Sequence, residues 1–140
     1  MKKEKVNNQV QRTTVKALFH RDGKILLQKD HKGKWEMPGG KIQFGESPKE
    51  ALRREVKEEL GYGNIIINSL VDAWTFNVVV DEIDYQFIVI VFNTESDNYQ
   101  NDISQEHIDC RWISFDEVKD LNMRDGYKDA INKFRNDNKL

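Results

Sequence analysis

The pattern of apolar and polar positions predicts strands in the first half of the chain. Residues 13–20 (TTVKALFH) are rich in β-forming side chains, and residues 25–30 (ILLQKD) follow them across an Asp-Gly turn, so we expect a hairpin. Residues 31–40 predict a loop. Two longer β-branched and aromatic runs, 65–80 and 83–94, are separated by two acidic residues and predict a second antiparallel pair.

The C-terminal third predicts a long polar loop, a short strand and two helices. Residues 95–109 are polar, 110–115 (CRWISF) resemble a strand, and 115–121 and 125–138 have helical patterns. The last segment carries an amphipathic stripe, formed by Tyr127, Ala130, Ile131 and Phe134. These elements predict an α/β (α+β) class, with a mixed sheet flanked by helices.

An early helix has clear signals at both ends. Ser47 is suited to the N-cap, Pro48 to the first helical position, and Glu50 to the capping box. Gly61 supplies the C-terminal stop. We therefore expect a helix that begins at Pro48 and ends just before Gly61.

Composition narrows the range of partners. The chain has 140 residues, a size typical of one domain, and we expect residues 1–140 to form it, with residues 1–12 either flexible or adding a strand. A net charge of −2 gives no basic field for nucleic acid or an anionic membrane. The apolar run 87–92 is too short to span a bilayer. No signal peptide is apparent and Cys110 is the single cysteine, so we expect a cytoplasmic protein in which Cys110 packs.

The early helix concentrates negative charge. Glu55, Glu58 and Glu59 fall within an arc of about 100°, although like charges at i,i+4 repel each other. A solvated acidic face is one interpretation. The other is a site for a hard cation, because clustered carboxylates near the Gly39-Gly40 turn suit Mg²⁺ or Mn²⁺ better than zinc.

The same segment resembles the Nudix box, whose pattern is G-x5-E-x7-R-E-U-x-E-E-x-G-U with U a bulky aliphatic residue. The seven matching fixed positions are Gly40, Glu46, Arg54, Glu55, Glu58, Glu59 and Gly61. Tyr62 departs from the final U because it is aromatic, but that position serves packing. The resemblance implies the Nudix fold, a mixed β-sheet sandwiched between helices. It also implies hydrolysis of a nucleoside diphosphate linked to another group, through metal-activated attack of water.

The resemblance also implies roles for individual residues. Glu55, Glu58 and Glu59 would bind Mg²⁺ or Mn²⁺ together with the Gly39 carbonyl. Arg54 would hold the carboxylates of Glu46 and Glu55 in orientation.

The attacking water also needs a base. Glu106, in a later loop, is expected to act as a metal ligand or as the general base, with Glu55 as the alternative base. Lys41 is expected to meet the phosphates or the leaving group, and Glu46, Trp35 and Asp125 are further residues expected at the substrate site.

The stretch WEMPGGKIQFGESP is similar to the MutT-like branch, which cleaves nucleoside triphosphates to the monophosphate and pyrophosphate. Candidates for stacking on the base, each with core packing as the alternative, are Trp35, Phe44, Trp74, Phe76 and Tyr85. Asn122 and Asp125 lie where some MutT-like proteins recognise an oxidised purine.

Two other interpretations remain open. One is a hydrolase of ADP-ribose, nucleotide sugars, dinucleoside polyphosphates or a capped RNA end, and the other is a non-catalytic sensor of nucleotides. The presence of Glu55, Glu58 and Glu59 in the box favours the enzyme over the sensor. A monomer or a homodimer is expected.

Overall fold

The structure is a computed structural model that describes residues 8–97, 99 and 110–140. The strands are β1 (Asn8–Leu18), β2 (His20–Arg21), β3 (Lys24–Lys29), β4 (Trp35–Glu36), β5 (Gly39–Lys41), β6 (Ile65–Val80), β7 (Ile83–Ser96) and β8 (Cys110–Ser114). The helices are α1 (Pro48–Leu60), a 3₁₀ helix (Phe115–Asp120) and α2 (Asp125–Asp137). Within the described residues, no helix combines the length and the apolar character that crossing a bilayer requires.

The strands form two sheets. In the first, the order is β5-β1-β7-β6, with β1 parallel to β7 and the other neighbours antiparallel. In the second, β3 pairs with β2, β4 and β8, all antiparallel. The mixed sheet with its flanking helices confirms the fold class expected from the pattern.

Each long helix covers a separate hydrophobic core. Beneath α1, Leu52, Val56 and Leu60 pack against Val15 and Ala17 of β1. Beneath α2, a second cluster includes Tyr127, Ala130, Ile131, Phe134, Leu18, Leu27, Met37, Val89 and Val91. Alternate residues of β1 thus serve opposite cores, as the period of two in a strand requires. Cys110 is partly buried and packs against the first of these clusters, as expected.

The predicted first strand is divided between the two sheets. β1 ends at Leu18, and only His20 and Arg21 form the hairpin with β3. The prediction of one hairpin over 13–30 was therefore wrong for most of β1, because β1 pairs in parallel with β7 along its whole length. This partner lies about 75 positions away in the sequence, so the local pattern did not indicate it. From Asn8 onward, the N-terminal segment belongs to β1.

Two further segments differ in detail from their predictions. The predicted loop at residues 31–40 contains the two-residue strand β4 and the start of β5. Residues 115–120 form a 3₁₀ helix rather than an α-helix, and Ser114 accepts a hydrogen bond from the Asp116 amide at its start. The long pair β6 and β7 was predicted correctly, with β7 extending to Ser96.

The turn between β6 and β7 offers a test of these backbone assignments. Asp81 and Glu82 have φ values of 50° and 65°, so both central residues are left-handed, as a type I′ turn requires. The β2–β3 turn meets the same demand with Gly23 at its second position. A residue with a side chain loses about 1–2 kcal/mol of stability in the left-handed conformation. Substitution by glycine recovers only part of this, because glycine has more conformational entropy in the unfolded chain.

We expect Glu82→Gly to raise the free energy of unfolding by about 0.5–1 kcal/mol, measured by urea denaturation. Lys133→Gly in the middle of α2 is the control, and should lower stability by about 1 kcal/mol because φ is negative there. A loss of stability at Glu82→Gly would contradict the assigned turn.

Candidate active site

Helix α1 has the boundaries that its sequence signals predict. The Ser47 hydroxyl accepts a hydrogen bond from the Glu50 amide at 3.2 Å, and Pro48 occupies the first turn. Gly61 is left-handed with φ 73°, and its amide donates to the Lys57 carbonyl at 2.9 Å. These local contacts fix the length of α1, while its buried apolar side sets the rotation of the helix on β1.

Arg54 lies at the centre of an ion-pair network on the solvent side of α1. Its Nε and Nη2 donate to the two oxygens of Glu46 at 2.7 and 2.9 Å. Its Nη1 donates to Glu55 at 2.8 Å and lies 3.5 Å from Glu58, and Nη2 also donates to the Lys41 carbonyl at 3.1 Å. The planar guanidinium therefore joins the loop to two of the box carboxylates.

The network changes the acidity of Glu46. Hydrogen bonds from the Arg54 side chain and from the Gln43 amide lower the pKa of Glu46 to about 2. Because both of its oxygens contact Arg54, Glu46 holds the arginine in place, and its expected contact with substrate stays a prediction. The hydrogen bonds to Glu46, and next those to Glu55, raise the pKa of Arg54.

The three helical glutamates lie at different depths. The Glu58 side chain is 56% exposed, whereas Glu55 is 19% exposed and Glu59 is buried. The Glu59 Oε2 accepts hydrogen bonds from Gln28 Nε2 at 2.9 Å and from the Gly39 amide at 3.3 Å. Burial raises the pKa of Glu59 to about 8, although the nearby Lys16 charge opposes this shift.

Glu55 packs directly over the glycine turn. A Cβ placed on Gly40 would lie within 2.7 Å of both Glu55 carboxylate oxygens, so a side chain at position 40 would displace this carboxylate. The turn thereby brings the backbone of β5 against the helix face that carries the carboxylates.

The donor set fits a hard divalent cation by its chemistry. Three carboxylates and the Gly39 main-chain carbonyl are oxygen ligands of the kind that Mg²⁺ and Mn²⁺ prefer. Glu59 is an acid buried beside the turn, and burial of a carboxyl group lowers stability even with the Lys16 charge nearby. Over the described ranges, no three acidic, histidine or cysteine side chains are already gathered around a point where an ion would bind. The glutamates of α1 instead contact Arg54, in the case of Glu55 and Glu58, and Gln28 and the Gly39 amide, in the case of Glu59.

A buried lysine lies behind the carboxylates. Lys16 is 4% exposed, and its Nζ lies 3.6 Å from Glu36 Oε2. β1 pairs Lys16 directly with Gly39, whose amide contacts Glu59. The sequence analysis missed Lys16 and Gln28. The signal available for both was a polar side chain within an otherwise apolar strand.

The remaining predicted site residues fall in different places. Glu106 lies outside the described residues. Lys41 is exposed at the end of β5, on the loop beside Arg54. Trp35 is 8% exposed and packs in the core beneath α2, so its predicted contact with substrate is not supported, because little of its ring faces solvent.

Asp125 lies at a cleft of about 520 Å³ between β6 and the start of α2. The cleft is lined by Lys34, Trp74, Thr75, Phe76, Met123, Arg124, Asp125, Gly126 and Asp129. The Arg124 guanidinium carbon lies 3.8 Å from the centre of the Phe76 ring. Trp74 and Phe76 were expected as stacking candidates, whereas Arg124 was missed because nothing in its local sequence indicates an aromatic partner.

Comparisons with known proteins agree with this architecture. The NUDIX domain model matches residues 10–134. The chain is 36% identical to nucleoside triphosphatase NudI of Salmonella agona and 33% identical to NudI of Shigella flexneri, in each case over 81% of this chain and 90% of the relative.

Solved structures show the same fold. The MutT protein from Methanosarcina mazei superposes with a TM-score of 0.77 at 28% identity, covering 94% of this chain and 98% of that protein. A NUDIX hydrolase from Nitrosomonas europaea, at 23% identity and a TM-score of 0.67, covers 94% of this chain and 89% of its own. The chain therefore belongs to the NUDIX hydrolase family, in its MutT-like branch.

Proposed function

We propose that the protein hydrolyses a nucleoside triphosphate to the monophosphate and pyrophosphate, with Mg²⁺ or Mn²⁺ as its ion. The observation that carries the proposal is the Arg54 network, which joins Glu46 of the preceding loop to Glu55 on the helix face that also bears Glu58. The choice of substrate is supported by the relatives named nucleoside triphosphatase NudI.

The acidic face and the glycine turn would hold the ion. The proposed ligands are Glu55, Glu58, Glu59 and the Gly39 carbonyl, with Glu106 as a further candidate. When bound, a divalent cation neutralises phosphate charge and polarises the phosphoryl group. Arg54 orients the Glu55 carboxylate, because its Nη1 donates a hydrogen bond to one of the two Glu55 oxygens.

The chain's own groups would carry the remaining steps. Either Glu55 or Glu106 accepts the proton from the water that attacks phosphorus. The exposed Lys41 ammonium contacts the phosphates or the leaving group, whose negative charge grows as the bond breaks. The base enters the cleft beside Trp74 and Phe76, with Asp125 at its edge.

We also propose that residues 1–140 form a single domain, of which the family model spans 10–134. The expected monomer or homodimer, in the cytoplasm, is part of the same proposal. Size-exclusion chromatography coupled to light scattering measures the oligomeric state.

The first prediction from the proposed function concerns substrate and products. The purified protein is incubated with Mg²⁺ or Mn²⁺ and, separately, with common and 8-oxo nucleoside triphosphates, ADP-ribose, dinucleoside tetraphosphates and NADH. We expect a triphosphate to give the monophosphate and pyrophosphate, and Glu58→Gln to lower kcat by at least ~100-fold because it removes a charged ligand.

Glu50→Gln is the matched control, since Glu50 is exposed on the same helix and none of the ion pairs that Arg54 forms with described residues includes it. Its kcat should stay within about twofold of the parent. Preferred cleavage of ADP-ribose would contradict the substrate, and nucleotide binding without any turnover would contradict the enzyme.

A second prediction uses the forked donors of Arg54. Arg54→Lys keeps the charge but cannot hold Glu46 through two nitrogens, so kcat should fall by ~10-fold or more. Arg53→Lys is the control, because Arg53 donates to the Ile65 carbonyl and lies outside this network. Equal losses of kcat in the two variants would refute the positioning role of Arg54.

A third prediction concerns pH. Because the pKa of Glu59 is raised from 4.5 to about 8, the folded state binds this proton more tightly than the unfolded state. The stability of the metal-free protein should therefore fall as pH rises through this window, and stabilisation by Mn²⁺ should grow. Tm measured in EDTA between about pH 5 and 9 should show the fall in the parent and in Glu50→Gln, but a flatter profile in Glu59→Gln. An unchanged slope in Glu59→Gln would exclude Glu59 as its cause.

A further inference from the structure

Gln28 is a completely buried amide near the C-terminal end of β3. The two residues before it in the strand, Leu26 and Leu27, are apolar and also completely buried. The Gln28 Nε2 donates to Glu59 Oε2 at 2.9 Å, which joins the second sheet to helix α1. Glutamine is thus placed where packing alone would favour an aliphatic side chain.

The other end of the amide lacks a partner. The Gln28 Oε1 is buried and accepts no hydrogen bond from the described residues. An unsatisfied buried acceptor lowers stability, and most buried polar atoms in proteins are paired. The unpaired oxygen of this amide therefore lowers the stability of the fold. The hydrogen bond that the amide forms with a described side chain is the one from its nitrogen to Glu59.

That contact is directed at one carboxylate oxygen. The Gly39 amide donates to the same Oε2, at 3.3 Å, so both hydrogen bonds from the described residues converge on it. Lys16, the nearest buried cation, has its ion pair with Glu36 instead. Glu59 Oε1 is left without a hydrogen-bond donor among those residues, on a helix face shared with Glu55.

We propose that Gln28 is a positioning residue for Glu59, fixing Oε2 so that Oε1 is the oxygen offered to the divalent cation. The inference rests on the proposed function, because it takes Glu59 as an ion ligand. It adds a residue from β3, outside the box, to the determinants of ion affinity. Outer hydrogen bonds of this kind typically change metal affinity 10–100-fold.

The test is Gln28→Met, which keeps the length of the side chain and removes both polar atoms. Mn²⁺ affinity is measured directly, from the EPR signal of free Mn²⁺, and Tm is measured separately in EDTA. We expect the Kd for Mn²⁺ to rise about 10-fold. We expect Tm in EDTA to fall by no more than about 2 °C, because the unpaired acceptor disappears with the donor.

Gln86→Met is the matched control, because Gln86 is a partly buried glutamine whose Oε1 accepts from Gln11, outside the box. Its Kd for Mn²⁺ should equal the parent's. A double-mutant cycle adds specificity: in a Glu59→Gln background, Gln28→Met should leave the Kd unchanged. If Gln28→Met does not fold, Gln28→Asn takes its place, since the shorter amide cannot reach Glu59.

The outcomes separate this inference from the proposed function. If the parent binds Mn²⁺ and Gln28→Met binds it within twofold, the positioning role is overturned and the proposed function stands. An equal effect in the Glu59→Gln background would overturn it as well. If the parent itself binds no Mn²⁺, the proposed ion site fails, and the inference fails with it.

Discussion

The close approach of β5 to both β1 and α1 is the constraint on which the rest of the site depends. Gly39 has φ 138°, and a Cβ there would lie 2.9 Å from the Lys16 Cα and would overlap the Val15 carbonyl. One residue later, a Cβ on Gly40 would meet the carboxylate of Glu55. Two successive residues without side chains therefore let one backbone segment contact a strand on one side and a helix on the other.

This approach also determines the depth of each charge. Because Gly39 pairs with Lys16, its amide points to Glu59, and the buried acid is held between β5 and β3. Arg54 joins the carboxylates on the outer side of the helix. The site thus combines two networks of polar contacts: the ion pairs of Arg54, which are partly exposed to solvent, and the hydrogen bonds of Glu59, which are buried. Polar groups in such an interior reduce stability, which is the usual cost of a functional site.

The cleft proposed for the nucleotide base is formed by other elements than the acidic face. It lies between Trp74 and Phe76 of β6 and the start of α2, and α2 comes so close that a Cβ on Gly126 would overlap the Trp74 ring. Arg124 covers Phe76 from the same side. The cleft and the acidic face are therefore built by separate elements.

What the sequence determined by itself was local. The ends of α1 follow from Ser47, Pro48 and Gly61, because capping depends on residues within a few positions of each other. The resemblance to the Nudix box likewise implied that Arg54 contacts Glu46 and Glu55, and the structure shows those ion pairs.

The tertiary structure decided what depends on distant partners. β1 pairs with β7 and not in the predicted hairpin, and Lys16 and Gln28 are buried behind the carboxylates. The tertiary structure also decided that Glu59 turns inward. Helical periodicity places Glu59 only about 20° from Leu52, at the border of the apolar side, where either direction is compatible with the pattern. The physical reason is that burial of a polar side chain depends on the strand packed against it, and that strand is distant in the sequence.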